Sequence, residues 1–208
     1  MTEARAIRGP YRSGIARRRQ IVRAAAEVFA AEGYRGGSLR QIAQEVGVTP
    51  AALNRHFERK EDLLTAVLEY WRDETALLID DTAEGIDYFT GMRNLVAYHV
   101  GHRGYLELFL ALSTEAVNPD HPAADFIRRR YDGTVATFSG HLAHAVDRGD
   151  VRTMDAAEID RESRALIAYL DGIELQWLLD PTLDLLAHFD HHLHGMLESW
   201  GYRPASPR

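Results

Sequence analysis

The 208-residue chain has no cysteine, one lysine and only seven prolines. The absence of cysteine excludes a disulfide scaffold and any zinc site built on thiolates. No run of 18 uncharged apolar residues occurs, so no membrane-spanning helix is expected. The stretch Met1 to Arg19 carries six arginines and no apolar segment behind them, so no secretory signal is expected and the chain is placed in the cytoplasm. Lysine is almost wholly replaced by arginine, 23 to 1, which suggests a GC-rich bacterial genome. With 46% hydrophobic and 26% charged residues, the composition is that of a globular protein able to bury a core.

The formal charge of −7 is unevenly distributed. Residues 1–60 hold 12 of the 24 basic and 5 of the 31 acidic side chains, a balance of +7, and residues 61–208 carry −14. Phosphate contacts need local rather than global positive charge, so a short basic end on a long acidic body is compatible with a nucleic-acid module attached to something else.

Glycine and proline cut the chain into segments of helical length, and apolar residues recur within them at helical spacing rather than in alternation. The expectation is an all-α protein of about nine helices. The first, Ile15 to Glu32, places Ile21, Ala25, Val28 and Phe29 on one face and stops at Gly33, with a mobile basic arm ahead of it. A short helix from Ser38 to Glu45 opens on the capping-box pair Ser38 and Gln41, and a second, Pro50 to Phe57, on Thr49 and Pro50. Longer segments follow at 60–80, from beyond Gly85, at 105–116 and at 120–148. The last two begin at Asp155 and at Leu183, the final one running to Trp200.

The segment Ser38 to Phe57 has the parts of a helix-turn-helix. Ala43 is small where two helices cross, Gly47 suits the turn, and Ile42, Val46, Val48 and Leu53 supply contacts between them. In such a unit the second helix enters the major groove. Asn54 and Arg55 can then bond base edges, Ala51 and Ala52 are short enough to touch a thymine methyl, and Arg40 points the same way. Ser38, Thr49, His56 and Lys60 suit phosphates, with Pro50 at the helix entry.

The run from Ile21 to Val67 resembles the N-terminal domain of TetR-type transcriptional regulators. The resemblance rests on Phe29-Ala30 with Gly33-Tyr34, Ile42-Ala43 with Gly47-Val48, His56-Phe57, and Lys60-Glu61 with Leu63-Leu64. It departs at Asn54, where most members have Tyr, and at Arg59, where Ser usually precedes Lys-Glu. The resemblance implies a basic arm at 1–16, a DNA-binding head at 17–62 and an effector-binding, dimerising body at 63–203. It also implies a homodimer on a palindromic operator, released when a small molecule shifts the fourth helix.

For the body, Phe89, Met92, Val96, Phe109, Phe126 and Tyr169 offer apolar pocket walls, and Arg130 and Thr134, one turn apart, offer a polar anchor for an acidic or carbonyl-bearing ligand. Trp177, Leu178, Leu186, Phe189, Leu193, Met196 and Trp200 on the last two helices are candidates for the dimer seam. His188 and His192 have spacing that can share a divalent metal, with Asp184 and Asp190 the only evident partners, so a metal-responsive regulator is one alternative and an effector-independent DNA-binding protein another. No metal or cofactor is assigned. No GxSxG, HExxH or phosphate-cradling glycine loop occurs, so no enzyme is expected.

Overall fold

A computed structural model describes residues 10–80 and 82–203. These contain nine α-helices and no strand: α1 (Pro10–Gly36), α2 (Leu39–Val46), α3 (Pro50–Asn54), α4 (Lys60–Ala76), α5 (Ile86–Gly101), α6 (Arg103–Glu115), α7 (Ala124–Arg148), α8 (Ala156–Leu179) and α9 (Leu185–Ser199). Two compact units divide inside α4, one ending at Trp71 and the other beginning at Arg72.

The first unit is built on α1, α2 and α3. Ile21, Ala25, Val28 and Phe29 of α1 are buried as their spacing predicts, as are Ile42, Ala43 and Val46 of α2 and Leu53 of α3. Val48 is only half-buried. α1 breaks at Gly33, whose φ of 72° and ψ of 167° are closed to a residue bearing a Cβ. Gly37 is needed for a different reason, since a Cβ there would stand 2.8 Å from the Phe29 ring. The expected arm at 1–16 fares in two parts. Residues 1–9 lie outside the described residues, and from Pro10 onward the chain is already helical, so α1 begins five residues before Ile15.

Other boundaries differ from expectation for local reasons. α3 ends at Asn54 rather than Phe57, because Phe57 N–H still bonds Leu53 C=O while His56 N–H tightens to the same carbonyl in a turn. α4 ends at Ala76, and Asp80 Oδ1 instead accepts from Thr82 N–H at 2.8 Å and from its hydroxyl at 2.6 Å, an aspartate turn that competes with helix. α7 starts at Ala124, not Asp120, because Asn118 Oδ1 accepts from Asp120 N–H and His121 Nδ1 from Ala123 N–H in the preceding turns.

The second unit is a packed helical body whose core joins α5, α7, α8 and α9. Phe89 lies at its centre, edge-on to Trp200 at 5.3 Å and to Phe138 at 5.9 Å between ring centroids. No helix of the described residues is long and apolar enough to cross a membrane.

Candidate DNA-reading head and effector cavity

The reading head is assembled by caps. Ser38 Oγ accepts from Gln41 N–H at 3.2 Å and starts α2, which Gly47 ends in the left-handed conformation at φ 69°. Two residues later Thr49 Oγ1 accepts from Ala52 N–H at 3.2 Å and starts α3, with Pro50 at its first position. The caps use the oxygens of Ser38 and Thr49 as acceptors, which leaves their hydroxyl protons available to a phosphate.

Of the residues expected to face DNA, Arg40, Ala51, Asn54 and Arg55 are exposed, and Ala52 and His56 are half-buried. Arg40, Asn54 and Arg55 are therefore presented from one compact unit with no ion pair among the described residues. Gln44, one turn beyond Arg40 on α2, is also exposed and was not among the expected residues.

Lys60 is placed differently from expectation. Its Nζ donates to Arg35 C=O at 3.4 Å and lies 4.6 Å from the Tyr34 ring centre and 5.7 Å from that of Phe29. Burial pulls its ammonium below the usual lysine range. It joins the start of α4 to the end of α1, a bracing role alongside any phosphate contact. Tyr34 reinforces the same joint, its hydroxyl donating to Glu61 Oε1 at 3.4 Å. Burial, then the Glu61 charge, push the phenol up to about 12. The unusual Arg59 is compensated by Asp62, which accepts the Arg59 backbone N–H at 3.2 Å and its guanidinium at 3.0 Å, supplying the returning half of a capping box.

The second unit contains a small cavity of about 80 Å³ between α5, α6, α7 and α8. It opens beside a cleft of about 450 Å³, with Leu95, Arg130 and Thr134 common to both. Four of the eight expected wall residues, Val96, Phe109, Arg130 and Thr134, line the cavity. The other four do not. Phe89 and Met92 are wholly inside the core, Phe126 is buried at the start of α7, and Tyr169 packs against α9, donating to His188 C=O at 2.8 Å. Helical periodicity marks a buried face but cannot separate residues that fill a core from those that edge a void.

What periodicity missed is polar. His99 Nδ1 and Glu174 Oε1 meet at 2.6 Å and both are buried, while Tyr131 donates to Asp171 Oδ2 at 2.7 Å. All four line the cavity. Glu174 and Asp171 carry no local signal, because their partners on α5 and α7 lie far away in sequence. Burial pushes the Asp171 carboxyl above the usual aspartate range, against the Tyr131 hydrogen bond, and the Glu174 charge adds to the rise. The sign follows from that direction. A carboxyl raised in the folded state favours folding while protonated, and this contribution is lost as pH climbs from 3.8 through the higher folded value. Asp171→Asn, which keeps an acceptor for Tyr131, should therefore raise the melting temperature at neutral pH and leave it nearly unchanged in acid; thermal scans across pH check this.

The dimer-seam candidates also separate. Phe189 and Trp200 are sealed in the core, and Trp177, Leu193 and Met196 are buried with them, whereas Leu178 and Leu186 keep partial exposure. The exposed apolar residues of α8 are Leu175 and Leu179, 50% and 79% accessible. Sequence reasoning passed over both because larger rings nearby dominated the stripe.

His192 stacks on Tyr169 with centroids 3.5 Å apart, and His188 is exposed. Asp184 caps α9 and Asp190 pairs with Arg93 at 3.0 Å. Among the described residues no three His, Cys, Asp or Glu come together as a metal site.

A capped pair of short helices across a glycine turn, with exposed Asn54 at the end of the second and Arg55 just after it, defines a helix-turn-helix DNA-binding protein. The profile of the family described as bacterial regulatory proteins, tetR family, matches residues 21–67. The chain is 29% identical over 203 residues to the HTH-type transcriptional regulator TtgR of Pseudomonas putida, an alignment spanning 90% of this chain and 93% of TtgR. It is 28% identical over 202 residues to the probable HTH-type transcriptional regulator ArpR, also of Pseudomonas putida, with the same coverage. The structure of SmeT in complex with triclosan superposes with a TM-score of 0.76 at 20% identity, covering 93% of this chain and 98% of that one. The chain resembles the TetR family of transcriptional regulators, through the family profile at residues 21–67 and through regulators matched over most of its length.

Proposed function

We propose that the protein is a repressor that binds a palindromic operator as a homodimer and leaves it when a small molecule occupies the cavity of its second unit. The reading divides the labour among an arm at 1–16, a DNA-binding head at 17–62 and an effector-binding, dimerising body at 63–203, acting in the cytoplasm by binding rather than turnover. The observation that carries it is the coexistence of an outward-facing reading head with a cavity lined by both rings and buried charges. Polar groups enclosed in a helical body are costly where apolar residues could pack instead. For the second copy, Leu175 and Leu179 with half-buried Leu178 and Leu186 supply apolar area on α8 and α9, a better-founded seam than the buried rings.

Selection of bound duplexes from a random pool at physiological salt tests the reading. The expected result is an inverted repeat whose half-sites are related by the dimer axis. Enrichment of no repeat, or of a single half-site by a monomer in sedimentation, would overturn it. Within the selected site, Arg55→Ala should weaken binding about tenfold and flatten the preference at one base pair per half-site, since one good base contact contributes roughly 1–3 kcal/mol. Fluorescence anisotropy on the selected duplex and on single-position variants reads both effects.

A further inference from the structure

The chemistry of the cavity narrows the effector class, an inference that rests on the effector reading above. Its walls form a continuous chain of rings contributed by three helices. His99 and Tyr105 have centroids 5.9 Å apart, Tyr105 and Phe109 6.4 Å, and Phe109 and Tyr131 6.5 Å. Facing these rings from α8 are Asp171 and Glu174, three residues apart and so on one face. Tyr105 and Glu174 are buried, at 7% and 5% accessible, while Phe109, Tyr131 and Asp171 are half-buried.

The two carboxylates are not met alike. Glu174 is met by the His99 ring nitrogen at 2.6 Å. Asp171 is met only by the Tyr131 hydroxyl on Oδ2, and its Oδ1 has no hydrogen bond among the described residues. Arg130 lines the chamber on the side shared with the outer cleft, and makes no ion pair with either carboxylate among the described residues. An anionic guest would meet two carboxylates. A neutral guest would bury Asp171 uncompensated. A cation satisfies the free carboxylate oxygen and at the same time faces electron-rich rings, the arrangement by which aromatic cages hold ammonium groups.

We infer that the cavity selects an organic cation, a protonated amine whose ammonium sits among Tyr105, Phe109 and Tyr131 against Asp171, with its apolar body running past Leu95 toward the cleft. Arg130, at that outer end, discriminates against a second positive charge and favours a body carrying a hydrogen-bond acceptor or none.

The test uses three molecules of one shape and different charge, 4-phenylbutylamine, 4-phenylbutanol and 4-phenylbutyrate, titrated calorimetrically into the full-length protein and then added to its complex with the selected duplex. The amine should bind at least about tenfold more tightly than the alcohol, the ratio expected of one desolvated ammonium contact, and the acid most weakly. Asp171→Asn should erase the preference for the amine while leaving alcohol binding within about twofold. Glu174→Gln should reduce it in the same direction, and Asp171→Asn keeps the test decisive if Glu174→Gln misfolds. Binding of the alcohol or acid as tightly as the amine, or a preference that survives Asp171→Asn, overturns the charge selection while the effector reading stands. Amine binding that leaves DNA affinity unchanged supports the charge selection and overturns the effector reading. Saturable binding of none of the three overturns both.

Discussion

Leu53→Ala should abolish operator binding while leaving the second unit folded. α3 is five residues long, far below the length at which a helix stands alone in water, and Leu53 is the only one of its residues that is fully buried. Everything else on it, from Ala51 to Asn54, faces solvent or is half-covered. Truncating a wholly buried leucine costs about 2–5 kcal/mol. The Thr49 cap and the turn at Gly47 would then hold the entry of a helix that no longer has an anchor. The loss should fall on specific and non-specific DNA alike, unlike Arg55→Ala, because orientation rather than one base contact is lost. Anisotropy with specific and scrambled duplexes, alongside circular dichroism to follow overall helicity, separates the two variants. Retained affinity in Leu53→Ala would mean that the caps alone position α3.

This contrast reflects what can be read from a sequence. Local signals were legible where the physics is local. Ser38 accepts the Gln41 N–H, Thr49 accepts the Ala52 N–H ahead of Pro50, and Gly47 takes the left-handed turn, although the Gln41 amide bonds Glu32 and leaves the capping box half made. Boundaries failed where a side chain offered the backbone another partner, as Asp80 does for Thr82 and Asn118 for Asp120. The cavity was half-legible. Arg130 and Thr134 stood out as polar residues on an apolar helix, but the His99–Glu174 and Tyr131–Asp171 contacts span 75 and 40 residues of chain. Nothing in local periodicity encodes which distant helix covers a carboxylate. The bracing contacts of Lys60 were hidden in the same way, since its partners Arg35 and Tyr34 lie some 25 residues back.

Trp200 is the sharpest instance, and its replacement separates core from interface. A large ring near the end of the last helix invites assignment to a dimer seam, yet Trp200 is 1% accessible within the single chain. Its indole N–H donates to Glu162 Oε2 at 3.0 Å, its ring meets Phe89 edge-on, and its carbonyl accepts from Arg152 N–H at 2.7 Å. It thus fastens the end of α9 to α8 and to the 149–155 connection. Trp200→Ala should destabilise the second unit by about 3–5 kcal/mol, the usual cost of emptying a buried aromatic site. Because the lost contacts lie within one chain, the drop in melting temperature should be the same at low and high protein concentration. A seam residue behaves otherwise, since stability linked to association varies with concentration. Leu179→Asp supplies the comparison. It adds a charge to an exposed position, so it should leave the unfolding of an isolated protomer nearly untouched while shifting the proposed dimer toward monomer in sedimentation. A concentration-dependent Trp200→Ala and a dimeric Leu179→Asp together would return the seam to the aromatic stripe.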